Sequence, residues 1–394
     1  MRIGMILDSS FPPDQRVEKE ALSLLGDGHE VFLFSLSYRK LSPIENYRGI
    51  QVYRFAAGKL IYKLSALAYT VPFYRWIVQS KIKSFLIKCS IEVLHIHDMV
   101  IAEAALSANH KLKLPVVLDL HENRPAIMQE YKHVNELLGR WLIDLKRWKK
   151  KYYELAAVVD SVVVVTDLAK VDIMESTGKK EDEVIALPNT IHYQEFVALP
   201  RDPGIIKRMD GYFNLLYIGD TSLRRGTDLL IKVIHELVME IPTIKLWIVG
   251  ASSADKELLS LTKSLGMEAF VQFEGWKDNH FLPTYIEQAQ VALSPLKKNL
   301  HHDTTYANKV FQYMTLGCPM VVSDCIAQAN LVTGENCGLV YKSDSISDLH
   351  NAILELYRHP DKAYELGQNG KNAVQLRWNW NQTVKPLLSL YKRL

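Results

Sequence analysis

Along nearly the whole chain, short runs rich in Val, Ile and Leu alternate with longer stretches of helical period. "RIGMIL", "EVFLFSL", "QVYRF", "EVLHIH", "PVVLDL", "SVVVVT" and "EVIAL" come first; "NLLYIG", "IKLWIVG", "FVQFEG", "VALSP", "PMVVSD" and "CGLVY" follow. Runs without polar alternation are strands buried on both faces, and helices between them make the sheets parallel. Each half is therefore expected to be a doubly wound α/β sheet. At 394 residues the chain is too long for one ordinary core and suits two domains. The break falls in "YQEFVALPRDPGIIKRMDG" (193–211), where periodicity lapses and Pro and Gly cluster. The expected division is 1–197 and 198–376, followed by a terminal helix, 377–394. That last stretch contains "WNWNQTVKPLLSLYKRL", arrives after the second sheet is complete and needs a surface to cover.

Two such domains imply a cleft, and open sheets of this kind bind ligands at the carboxyl ends of their strands. A net charge of +3 with 23% charged residues does not call for nucleic acid. The N-terminus enters a strand pattern at once, without the regions of a signal peptide, so a cytoplasmic location is expected. The four cysteines form no Cys-x-x-Cys pair and read as reduced, buried small hydrophobes. No stretch is long and apolar enough to span a bilayer. Segment 59–88 is basic, aromatic and free of acidic residues, and "KRWKKKYY" (146–153) repeats the character. Both read either as binding sites for an anionic membrane surface or as core-packed helices with solvated lysines.

Neither half has a Gly-x-Gly-x-x-Gly after its first strand, and no Walker-type loop or Asp-x-Asp occurs. His95, His97 and Asp98 are metal ligands by type, but the alternation of a strand is read as sending them to opposite faces, and no metal site is expected. In the second half, "YIGDTSLRRGTDLLIKVI" runs from strand through turn to helix, with Arg224 and Arg225 just before the helix. Two guanidinium groups beside a helix N-terminus suit a phosphate; the plain reading is a solvated pair. "NKVFQYMTLGCPMVVSD" (308–324) adds a second helix start, where the backbone N–H groups near Asn308, Lys309 and Val310 would meet a diphosphate. Gln312, one turn inside, would bond ribose hydroxyls or simply be exposed. In the first half, "VVLDLHENRP" leaves His121 and Glu122 at a strand end, where an imidazole can serve a sugar hydroxyl or a phosphate oxygen or cap a loop. "SSFPPDQRVEKE" brings Asp14 and Arg16 to the same edge, with Asp14 equally readable as a helix N-cap.

These pieces together resemble the retaining glycosyltransferases of family four over essentially the whole chain. The most specific parts are "GDTSLRRG", which resembles the family's phosphate loop, "NKVFQYMTLGCPMVVSD", which resembles its Lys-x-Phe-Glu-Tyr-Met helix, and the strand-end His121. "ENCGLVYKSDSISDLHNAI" and the terminal "WNWNQ" helix, resembling one that returns to the first domain, add to it. The resemblance implies a GT-B fold, two Rossmann-like domains facing each other across a cleft. It implies a UDP- or GDP-sugar donor in the second domain, held by Gly219, Arg224, Trp276, Asn308, Lys309, Val310 and Gln312. It also implies a glycan or lipid-linked saccharide acceptor in the first, near Asp14, Arg16, His97 and Glu122. Neither cofactor nor metal is implied, and transfer would use His121 and Arg225, in polysaccharide synthesis on the inner membrane face. Asp220 stands where the family's first phosphate Arg is expected, Arg225 replaces a Lys, Gln312 a ribose-binding Glu, and Thr304 lacks the carboxylate of the fuller pattern. These departures leave room for a noncatalytic protein with a degenerate donor site, one that binds a sugar nucleotide or serves as a scaffold for a partner enzyme. An epimerase of the same architecture would need ionisable groups flanking the sugar carbon, and beyond His121 and Glu122 none is evident.

Overall fold

The computed structural model describes residues 1–131, 134 and 143–394. They form two compact units, Met1–Pro188 with Val384–Leu394, and Asn189–Thr383. The first contains an eight-stranded sheet of β1 (Arg2–Leu7), β2 (Glu30–Ser37), β3 (Ile44–Tyr47), β4 (Ile50–Ala56), β5 (Val93–His97), β6 (Val116–Leu120), β7 (Ser161–Val164) and β8 (Val184–Ala186). Its order is β3-β4-β2-β1-β5-β6-β7-β8, parallel except for the β3–β4 hairpin. β3 was not expected. It is short, exposed at its first three residues and closed by a turn at Arg48 and Gly49, both at positive φ, so no apolar pattern marks it.

The second unit holds a six-stranded parallel sheet of β9 (Phe213–Ile218), β10 (Ile244–Val249), β11 (Val271–Gly275), β12 (Val291–Ser294), β13 (Met320–Ser323) and β14 (Gly338–Tyr341), in the order β11-β10-β9-β12-β13-β14. Strand order reverses at β1, between β2 and β5, and at β9, between β10 and β12. The loops after these strands are where such sheets accept ligands.

The boundaries differ from the expected 197/198 and 376/377. Phe196 is buried with Ile205, Met209 and Tyr285 in the apolar core of the second unit, which carries 189–197 with it. Asn379 bridges to Ile191, whose carbonyl accepts from the Trp380 N–H at 2.9 Å, so 377–383 also stay there. Only Val384–Leu394 joins the first unit, where Leu387, Leu390 and Tyr391 of the helix Lys385–Tyr391 are buried.

All four cysteines are buried and unpaired. Among the described residues no helix is long and apolar enough to cross a membrane. The basic segments divide. Helix Leu145–Val158 buries Trp148 and Tyr152, so the aromatics of 146–153 are core rather than a lipid-facing surface. Helix Phe73–Lys88 buries Tyr74, Val78, Ile82, Phe85 and Leu86 but leaves Phe73 and Trp76 exposed, the latter by 57%. The preceding helix Lys59–Ser65 buries nothing and shows Leu60 and Tyr62 to solvent.

Candidate functional site

In the second unit the chain leaves β9 through Gly219, at φ +126. Asp220 then closes the turn: its Oδ1 accepts from the Ser222 N–H at 3.0 Å, and its Oδ2 from the Ser222 hydroxyl at 2.9 Å and from Arg224 Nη2 at 3.2 Å. Arg224 is thus already paired with the acidic residue of its own loop. Gly226 follows at φ +73, and a Cβ there would lie 1.8 Å from the Pro295 carbonyl oxygen, so the loop admits only glycine before helix Thr227–Leu237.

Lys309 lies beside this loop. It is only 8% exposed, its Nζ sits 3.6 Å from the centroid of the Tyr217 ring, and a Cβ on Gly219 would be 3.8 Å from the same Nζ. That Nζ has no hydrogen-bond partner among the described residues. Burial, and then the positive charge of Arg225, hold it well below the usual lysine range. A buried amine with no hydrogen-bond partner among the described residues, in the field of a guanidinium and with only Asp220 to oppose it, is an arrangement that an anion would complete.

The start of helix Asn308–Thr315 is capped by no side chain. One expected donor is not available there: the Val310 N–H already donates to the Ala307 carbonyl at 2.9 Å, and the Val310 side chain is core. Gln312 Nε2 reaches Asn279 Oδ1 at 3.4 Å. Trp276, in the same loop as Asn279, is 74% exposed. His301 and His302, which sequence reasoning passed over, are buried. His302 Nδ1 is 2.6 Å from the Lys297 carbonyl oxygen, whereas its Nε2 and His301 Nδ1 have no partner among the described residues. Burial is the main cause that pushes them down, to about 3 for His301 and about 4 for His302. Consecutive histidines before an Asp read as surface, and only the fold turns them inward.

The first unit gathers a different set. Strand alternation places His95 and His97 of β5 on one face, contrary to the expectation that they diverge; their rings stack with centroids 4.5 Å apart. Asp98 does leave that face, capping helix Met99–Asn109 by accepting from the Met99 N–H at 3.0 Å. Asp119 of β6 is fully buried and receives Arg16 through two bonds, Nη2 to Oδ1 at 2.8 Å and Nε to Oδ2 at 3.1 Å. Arg16 Nη1 donates to the Leu187 carbonyl at 2.9 Å, and its Nε lies 3.0 Å from Glu20. Arg16, expected on the acceptor side, is instead an interior residue. Asp14 is the N-cap of helix Gln15–Gly26, accepting from the Arg16 and Val17 N–H groups at 3.1 Å.

His121 follows β6, one alternation beyond Asp119, with its Nε2 3.0 Å from Asp119 Oδ2 and 3.2 Å from His97 Nδ1. Its side chain is 20% exposed, whereas His97 is completely buried beneath it and does not reach solvent. Burial alone would lower the basicity of His121, but the Asp119 charge and hydrogen bond override it and raise the pKa to about 9. His97, with burial dominant, is lowered instead. Glu122 pairs with Arg124 at 2.9 Å. His95 Nδ1 meets the Tyr391 hydroxyl at 2.8 Å.

Glu20, His95, His97 and Asp119 place four ligand-type atoms within 4.8 Å of one another. The two carboxylates, however, already have their cation in Arg16, at 3.0 and 2.8 Å. A divalent ion would have to share that buried space with a guanidinium.

Comparison with known proteins supplies the family. Residues 16–195 match glycosyltransferase family 4, and residues 212–359 match glycosyl transferases group 1. A phosphatidyl-myo-inositol mannosyltransferase of Mycobacterium leprae is 22% identical, with 100% of this chain and 96% of that protein covered. Among solved structures, sucrose-phosphate synthase from Thermosynechococcus elongatus superposes with a TM-score of 0.79 at 17% identity, covering 100% of this chain and 98% of that one. HepE of Anabaena, solved with UDP-glucose, superposes with a TM-score of 0.68 at 14% identity over the whole of both chains. With two Rossmann-like units, each matched by its own half of the family, the chain belongs to the GT-B glycosyltransferases of the family-four kind.

Proposed function

We propose that this protein transfers a sugar, with retention and without a metal, from a UDP- or GDP-sugar to a hydroxyl of a glycan or lipid-linked saccharide during polysaccharide or glycoconjugate synthesis. The observation that carries the proposal is the buried, unpartnered Nζ of Lys309 beside the Gly219 loop and within the field of Arg225. Positive charge supplied by the protein is what a departing diphosphate needs, and it takes the place of a metal. Gln312, with Asn279 beside it, is the group proposed for the ribose, Trp276 for the base and Asn308 for the diphosphate. His121 is the group of the first unit proposed to serve the sugar or its acceptor, with Glu122 beside it. If the leaving phosphate takes the acceptor's proton, no protein base is required. Release of nucleoside diphosphate from one nucleotide-sugar, undiminished by a chelator, is the expected result; release only on adding a divalent ion would refute metal independence.

The mannosyltransferase relative is named for a phosphatidyl-inositol substrate. This supports a lipid-linked acceptor and a peripheral position on the inner membrane face. Leu60, Tyr62, Phe73 and Trp76 are the apolar side chains suited to insertion, with Lys59, Lys63 and Arg75 among them. Flotation with anionic liposomes should carry the protein upward, and Leu60→Ser with Trp76→Ser should leave it at the bottom. Failure of the unmodified protein to float would remove the membrane from the account.

The Asp220–Arg224 pair and Gln312 favour a second reading, a noncatalytic scaffold. It predicts no release of nucleoside diphosphate and, where the donor site has been given up, no saturable donor binding either.

A further inference from the structure

We propose that Asp119 is the positioning residue of His121, holding its ring by Nε2 and keeping it doubly protonated so that Nδ1–H faces outward as a cationic donor. The inference rests on the reading of His121 as a working group and adds what sets its state.

Geometry carries it. Asp119 Oδ2 receives Arg16 Nε at 3.1 Å and His121 Nε2 at 3.0 Å, with His97 Nδ1 3.4 Å away, while Oδ1 receives Arg16 Nη2 at 2.8 Å. An ion pair that only braced the fold would be complete with the two Arg16 bonds. The third partner, His121, is the one member of the set whose side chain reaches the surface; Arg16, Glu20, His95, His97 and Asp119 are all buried. With Nε2–H spent on Asp119, a neutral His121 would show a bare lone pair at Nδ1, an acceptor. The imidazolium shows a donor.

The charges around the ring are mixed. Asp119 and, farther off, Asp98 favour the imidazolium, and Arg16 opposes it. Asp8, from the end of β1, is also within its field. His97 and His95 are held down by burial and add no standing charge. Glu20 is pushed up by burial and by Asp119, so its carboxyl leans toward the neutral form, and Glu122 is engaged by Arg124. Asp119 is therefore the contact that decides, and Arg16 fixes where its oxygens point.

The test combines a titration with a double-mutant cycle. In the unmodified protein, the His121 ring followed by NMR should lose its proton near pH 9. Turnover should fall through the same range as pH rises. Asp119→Asn keeps the shape but not the charge. It should return the His121 ionisation and the alkaline limb to about 6.5 or below and lower kcat about 10- to 100-fold, with the donor KM little changed. In a His121→Ala background the same substitution should have no further effect on kcat. If His121→Ala leaves turnover intact, the reading of His121 falls and takes this inference with it. If His121→Ala abolishes turnover while Asp119→Asn leaves kcat and the alkaline limb in place, the positioning role alone is overturned. Should Asp119→Asn not fold, the titration of the unmodified chain decides: ionisation at or below about 6.5 contradicts the proposal.

Discussion

Arg225→Ala is expected to weaken donor binding and slow turnover together, with kcat lower by about 10²–10³ and KM for the nucleotide-sugar raised about tenfold or more. The size of the effect follows from what surrounds it. Arg224 is drawn to Asp220 at 3.2 Å, so part of its charge is spent inside its own loop. Lys309 is held well below the ordinary lysine range by burial and by Arg225 itself, so the site contains less positive charge than its composition suggests. Asp220 lies in the field of Arg225 as well, so the expected loss rests on the role proposed for Arg225, whose fork would meet a diphosphate as its charge grows. Arg225→Lys keeps the charge but loses the fork, and should recover part of the loss. Steady-state kinetics on both variants checks this; unchanged kinetics in Arg225→Ala would remove the residue from the mechanism.

The second large effect is on stability. Arg16→Met strips the cation from Asp119, which is fully buried, and should cost about 3–5 kcal/mol, the range for breaking a buried pair from one side. Asp14→Ala, two residues away, removes only a helix cap and should cost about 1 kcal/mol. The sign with pH is fixed. Burial alone would raise the Asp119 carboxyl, but Arg16 and then His121 overcome it and hold it well below its ordinary value of 3.8. A depressed carboxyl contributes stability above the unfolded value and loses it as pH falls through the folded one. The gap between the unmodified protein and Arg16→Met should therefore be widest near neutrality and narrow in strong acid. Denaturant midpoints across pH measure it, and a gap that does not depend on pH would mean that Arg16 acts by packing alone.

How much could be read beforehand depended on whether the signal was local. The parallel strands were legible because buried β-strands are continuous apolar runs, and β3 was not because it is short, exposed at its first three residues and interrupted by Glu45 and Asn46. The loop after β9 was legible from two arginines and glycines in order. Its electrostatics were not, because the Asp220–Arg224 pair and the burial of Lys309 over Tyr217 appear only when the loop and a distant helix are in place. Asp119 did leave a trace: an acidic residue inside "VVLDL" has to find a partner if the strand is buried. The partner, Arg16, is 103 residues away, and no spacing rule connects them. Likewise "VLHIH" should have been read as two imidazoles on one face, since alternate residues of a strand share it.

Gln312 brings the central claim to a direct test. Calorimetric titration of UDP, GDP and their sugar conjugates into the unmodified protein and into Gln312→Glu should show saturable binding of one nucleotide. The carboxylate should tighten it about tenfold, by restoring a charge-assisted bond to the ribose. Absence of saturable binding by either version would contradict a working donor site and leave the scaffold reading in its place.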